Sequence, residues 1–159
     1  MIALLVVFVA YLGSAKFGLL FAPKDTASAT LVWAPAGLAV AAVVRLGPRA
    51  LAIVWFAAFA ANLLNAHTAL LASAGIACGN TLAAFIAAAI ILRFGWKQAL
   101  IPAALAGAMI ASSVGIDSLA AFNGLRPDQA LHARRTWLLG DLLGILVVTP
   151  AVLMMRFAR

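Results

Sequence analysis

Along this chain, long apolar runs alternate with short breaks rich in glycine, proline and charge. Crossing a hydrocarbon core about 30 Å thick takes about 20 mainly apolar residues in a helix. That length divides the sequence into six predicted spans, at about 2–22, 30–46, 50–66, 69–93, 99–122 and 136–156. The breaks are "APKDTAS" at 22–28, "RLGPR" at 45–49, "NAHT" at 65–68, "RFGWKQ" at 93–98 and "NGLRPDQALHARR" at 123–135. Such residues are costly inside a lipid-facing helix and acceptable at its ends.

Composition agrees with the pattern. The 159 residues are 67% hydrophobic and 9% charged, where a soluble domain carries roughly a quarter charged residues. The predicted fold class is therefore all-α, a polytopic transmembrane helical bundle of about six spans. Apolar runs continue to the C-terminus, so Met1 to Phe21 reads as a retained first span and not as a cleaved signal peptide. No linker-like segment interrupts the chain, and residues 1–159 read as a single integral-membrane domain.

Charge sets an expected orientation. The net charge of +7 is spread over helix ends and makes no patch that would point to nucleic acid. With six spans, Arg45, Arg49, Arg93, Lys97, Arg156 and Arg159 share a side with both termini, against Lys24, Arg126, Arg134 and Arg135 opposite, the latter partly offset by Asp25 and Asp128. The positive-inside rule then places both termini in the cytoplasm.

No catalytic constellation is present. A phosphate loop, a nucleophile elbow and a His/Cys cluster are all missing, so neither an enzyme activity nor a cofactor nor a metal is expected. Cys78 stands alone and reads as a small packing residue within a helix. His67 and His132 fall near predicted loops, as interfacial residues.

The candidate chemistry is polar residues placed within the spans. Asp141 lies about five residues inside span six, Asn62 near the outer end of span three, and Asn80 and Thr81 close to the middle of span four. Lys16 lies about six residues from the outer end of span one, and Asp117 about five from that of span five, near enough to be solvated. All favour the outer half or the midplane, so one shared polar region is expected. Ionisable residues at that depth usually face the bundle interior or a water-filled cavity. Three readings of Asp141 stand side by side: a structural hydrogen bond to a neighbouring helix, a ligand contact, and a proton-linked switch. Lys16 either snorkels to the interface or pairs with a carboxylate such as Asp141.

Glycines accompany these groups. "GIACG" (Gly75, Gly79) precedes Asn80, and "GDLLG" (Gly140, Gly144) encloses Asp141. Small residues four apart let backbones approach closely, which predicts a contact between spans four and six that would bring Asn80 and Asp141 within hydrogen-bond reach. Alanine and glycine are abundant throughout, so chance matches compete with that reading. In "VWAPAGLAVAAVVRLG", Trp33 is either an aromatic-belt residue or a pocket rim, and Pro35 and Pro150 are candidate kinks.

Four motifs, "VWAPAGLAVAAVVRLG" at 32–47, "FAANLL" at 59–64, "GIACGNTLAAFIAAAIILR" at 75–93 and "WLLGDLLGILVVTPAVL" at 137–153, resemble the type-one membrane-associated sensor domain of bacteria, the MASE family. The resemblance implies a bacterial inner-membrane sensory module, normally joined at its cytoplasmic end to a histidine kinase, a diguanylate cyclase or a related output. Trp33, Pro35, Gly37, Asn62, Gly79, Asn80, Gly140, Asp141, Gly144 and Pro150 are the matching motif positions. Two positions depart: Ala34 precedes Pro35 where many members have two prolines, and Ala83 stands where many have Glu. Family members usually continue for further spans, so the chain resembles the N-terminal core, and its output would lie outside these residues.

The leading expectation is a sensory module. A ligand, lipid or partner would bind among spans two, three, four and six, bias the packing of spans four and six, and act through span six on a cytoplasmic output domain or a partner membrane protein. The alternative is the substrate-binding subunit of a small-molecule, vitamin-type uptake transporter. A third possibility is an assembly protein whose glycine faces bind another membrane protein.

Overall fold

The computed structural model describes residues 1–20, 32–65 and 68–155. Within them the fold is all-helical: α1 (Ile2–Leu20), α2 (Ala34–Leu46), α3 (Arg49–Leu63), α4 (Leu70–Phe94), α5 (Trp96–Phe122) and α6 (Pro127–Met154). Lys24, Asp25, His67, Arg156 and Arg159 lie outside the described residues.

Glycine makes the sharpest breaks. Gly95, at φ 82°, ends α4 and begins α5 at once, so the break predicted over 93–98 shrinks to one residue. Gly47 ends α2 at φ 73° and ψ −165°, and Pro48 follows before α3. An L side chain in that region is strained, and nothing lies within 4 Å of a Cβ built at Gly47. Gly47→Ala is therefore expected to cost about 1–2 kcal/mol of backbone strain. The thermal unfolding midpoint checks this, with Gly13→Ala, equally open but helical, expected to hold or gain.

Four helices, α1, α4, α5 and α6, are long and apolar enough to cross a membrane, whereas α2 and α3 have only 13 and 15 residues. At about 1.5 Å per residue these two reach about 20 Å. The six predicted spans thus become four long helices and two short ones. Span two is shorter than expected because Val32 and Trp33 are not helical, and Pro35 sits in the first turn of α2, where its missing amide costs little. Pro35 starts a helix and does not kink one. Helix α6 runs unbroken through Pro150, and α5 likewise carries Pro102 inside it. The other difference is at the start of α6, nine residues before the predicted position. Polar "PDQALHARR" is helix, initiated by Pro127 with Asp128 in the first turn. Polarity marked the end of the apolar run, not the end of the helix.

The core is built of small side chains. Ala57, Ala58, Ala77, Ala87, Ala103 and Ala104 are fully or almost fully buried, while Leu5, Phe56, Phe85, Ile101, Met109 and Val147 are exposed. That distribution suits a bilayer, where bulky residues face lipid and small ones let helices approach. Helix α5 lies between α4 and α6. A Cβ at Gly75 would collide with Ser118, one at Gly79 would come within 2.9 Å of Val114, and one at Gly115 would meet the ring of Trp137. The contact expected between spans four and six is not formed: α4 packs on α5, α3 and α2, and α6 packs on α5 and α2. The glycines of span four meet α5 instead.

Cys78 is exposed on α4, with the Trp55 indole N–H donating to its sulfur at 3.3 Å. It is not a buried packing residue. His132 is exposed within α6.

Candidate functional site

Packing of α2 against α6 begins outside the helix. The backbone N–H of Trp33 donates to the carbonyl of Gly140 at 2.8 Å. A Cβ at Gly144 would fall on the carbonyl of Trp33, and a Cβ at Gly37 on the carbonyl of Gly144. "GDLLG" is thus bare on the face where the non-helical lead into α2 lies across α6. Further along, buried Thr149 donates its hydroxyl to the carbonyl of Gly37 at 3.1 Å. At the far end, Arg45 Nη2 donates to the carbonyls of Val152, Leu153 and Met155 at 2.9, 2.8 and 2.7 Å. Those carbonyls lie at the C-terminal end of α6, where helical amides run out, although the Met155 N–H also reaches Val152 O at 3.3 Å.

Beside the Trp33–Gly140 crossing lies a cavity of about 270 Å³. It opens among the C-terminal ends of α1, α3 and α5, the lead into α2, and α4 and α6. Trp33, Asn62, Asn80 and Asp141, four of the six polar-core candidates, line it. Sequence reasoning missed Asn65, Asn123, Gln129 and Trp137, which also line it. Three of those four fall in or beside breaks, where polarity looked like ordinary loop chemistry, and Gln129 lies in the stretch of α6 that read as loop.

Asp141 is 4% exposed, and no hydrogen bond to its carboxyl is found among the described residues. Asn80 does not bond it. Its amide Nδ2 donates to the hydroxyl of Tyr11 at 3.4 Å. Tyr11, Asn80 and Asp141 all line a second, much smaller cavity of about 10 Å³ deeper in the bundle. The expected Asn80–Asp141 pair is thus two residues facing common space, each on a helix that does not touch the other. Tyr11, 1% exposed and among the largest fully buried side chains, was also missed. Its signal was a phenol in mid-span, which needs a partner for its hydroxyl.

The other candidates lie elsewhere. Thr81 bonds its own helix, donating to Ala77 O at 2.8 Å, and lines neither cavity. Lys16 is exposed on α1 and also lines neither. Tyr11 and Ala15 set the buried face of α1, and one residue beyond Ala15 turns the chain about 100° away from it. Among the described residues the ion pairs are Arg126–Asp128 at 3.1 Å and Arg134–Asp117 at 2.5 Å, so Lys16 does not pair with Asp141 and Asp117 is paired, not merely solvated. Both pairs are exposed at the cavity end and contribute little to stability.

Asn62 donates Nδ2 to Ala58 O at 2.8 Å. Asn123 caps α4, accepting from the N–H of Ala69 at 2.5 Å. Among the described residues no group of three or more His, Cys, Asp or Glu is placed to hold a metal ion. Among the described residues lining the cavity, no nucleophile stands beside a base. The arrangement offers instead a small, polar-lined, partly aromatic cavity next to a backbone crossing.

No curated protein matches this chain, and no solved structure does. The MASE1 family model matches residues 1–159, the whole chain. With apolar helices long enough to cross a bilayer and a polar cavity among them, this multi-pass membrane protein belongs to the MASE1 family of membrane-associated sensor domains.

Proposed function

We propose that residues 1–159 act as one sensory unit of a bacterial inner membrane, non-catalytic in itself, with both termini in the cytoplasm. It transmits to a cytoplasmic output of the histidine kinase or diguanylate cyclase type. The cavity is the input site. The carrying observation is that the cavity wall and the α2–α6 crossing share residues: Trp33, Gly140 and Asp141 line the one and make or flank the other.

A ligand among these residues would favour one packing of the α2 lead on α6 over another. Only such a difference in affinity between two packings can move an equilibrium. Helix α2 then carries the difference along α6 to Arg45 and the last turn, ahead of the C-terminus. Known cavity-lining polar groups in membrane bundles mark substrate or ligand paths, which supports the reading.

The test joins the chain at its C-terminus to a kinase output. Asp141→Asn keeps the shape of the side chain and removes its charge. The variant is expected to fold with a wild-type unfolding midpoint while shifting kinase output at least about three-fold, a change worth about 0.7 kcal/mol in a two-state equilibrium. Unchanged output from a folded variant would sink the proposal. Tight retention of a vitamin, or co-purification with an ATPase module, would favour the uptake-subunit reading in its place.

A further inference from the structure

Asp141 is the one ionisable side chain lining the cavity among the described residues. It is buried, without a hydrogen bond to any of them, in a chain of net charge +7. A carboxylate held that way is costly unless a cation or donors compensate it. Two of the neighbouring polar groups, Asn62 and Asn80, add acceptors. They spend their amide N–H groups on Ala58 O and the Tyr11 hydroxyl, and their Oδ1 atoms have no partner among the described residues. Lysine, arginine and histidine are absent from the described lining, so nothing there is built to neutralise a phosphate or carboxylate. Two indoles, Trp33 and Trp137, line the same space. Indole faces attract organic cations and shelter their apolar groups. The Nε1–H of Trp137 is buried without a partner, a donor that suits a ligand hydroxyl or carbonyl.

We propose that this cavity takes a small organic ammonium compound, its cationic head on Asp141 and the asparagine oxygens and its carbon groups against Trp33 and Trp137. The assignment rests on the reading of the cavity as the input site. A bare metal ion would satisfy the carboxylate and leave the indoles without a purpose, and an anion would meet the Asp141 carboxylate with no cationic side chain in the described lining to offset it.

The test uses the full chain in a neutral maltoside detergent at constant ionic strength. The probes are choline, ethanolamine, the neutral choline isostere 3,3-dimethylbutan-1-ol, acetate and sodium ion. Unfolding midpoint and tryptophan emission are read against concentration. Choline or ethanolamine is expected to stabilise the chain saturably. The neutral isostere should bind at least about ten-fold more weakly, and acetate and sodium should do nothing. Asp141→Asn should abolish the ammonium response, and Trp137→Phe should weaken it. Equal binding of the isostere, protection by acetate or sodium alone, no response to either ammonium compound, or an undiminished response in Asp141→Asn overturns the assignment. The kinase fusion separates the two claims. Altered output in Asp141→Asn without ammonium binding leaves the sensory reading standing and this one refuted; ammonium binding that leaves output unmoved does the reverse.

Discussion

Gly144→Leu is expected to unfold the chain at a distinctly lower temperature, with a loss of about 3 kcal/mol or more. Gly144 faces backbone, not a side chain that can swing away. A Cβ there would overlap the Trp33 carbonyl, and the amide nitrogen of Ala34 is next, at 3.4 Å. Making room means lifting the lead into α2 off α6. That breaks the 2.8 Å bond from Trp33 N–H to Gly140 O and separates Gly37 from the Gly144 carbonyl. The cavity loses one wall with it, because Trp33 and Gly140 both line it. Gly144→Ala, one methyl group, should fall between wild type and leucine. Thermal unfolding followed by tryptophan emission checks both, since Trp33 would move into a different environment. Gly13→Ala on open α1 serves as the reference. A wild-type midpoint for Gly144→Ala would mean that the Trp33 carbonyl does not press on α6 at Gly144.

That contact also shows where reading the sequence stops. Small residues at Gly75, Gly79, Gly140 and Gly144 announce that something comes near, and the structure puts something near Gly75, Gly79 and Gly144. They do not say what comes near. The partner of Gly75 and Gly79 is α5, and the partner of Gly144 is the non-helical backbone at Trp33, just before α2. In a soluble helix the phase of apolar residues would narrow the choice. Here the inner face is alanine and the outer face leucine and phenylalanine, so every face is apolar and the phase is nearly silent.

The breaks were legible because Gly47 and Gly95 take a backbone conformation that other residues resist. Depth was legible too, since counting along a helix gives height, and height alone brought Trp33, Asn62, Asn80 and Asp141 to one level. Azimuth was not, and Lys16 shows the cost. Its height matched the others while its direction, set by Tyr11 and Ala15, turned it out of the bundle onto the exposed side of α1. The rest of the lining came from polar residues in the breaks and the early turns of α6, whose composition is shared by any solvated loop.

Arg45→Ala is expected to leave ligand binding intact and to disconnect it from output. The guanidinium holds three carbonyls of the last turn of α6, and α2 has its other anchor at the cavity wall through Trp33. Between these lies the Thr149–Gly37 bond, so one short helix touches α6 near both of its ends. Pro150 makes the terminal tie matter more. It has no N–H to offer the carbonyl of Leu146, so the last turn is held to the rest of α6 by fewer bonds than an ordinary helix end. Charge-assisted bonds are the stronger kind, but this one is exposed, so its removal is expected to cost about 2 kcal/mol locally. Hydrogen exchange at residues 151–155 should then accelerate about thirty-fold while the amides of α4 stay protected. Arg45→Lys keeps the charge, loses the planar fork, and should fall between the two. In the kinase fusion, Arg45→Ala should keep the unfolding midpoint near wild type and flatten the difference that Asp141→Asn makes. Were that difference to survive with the last turn frayed, the signal would have to leave the bundle by another route, and the clasp of α2 on α6 would be only structural.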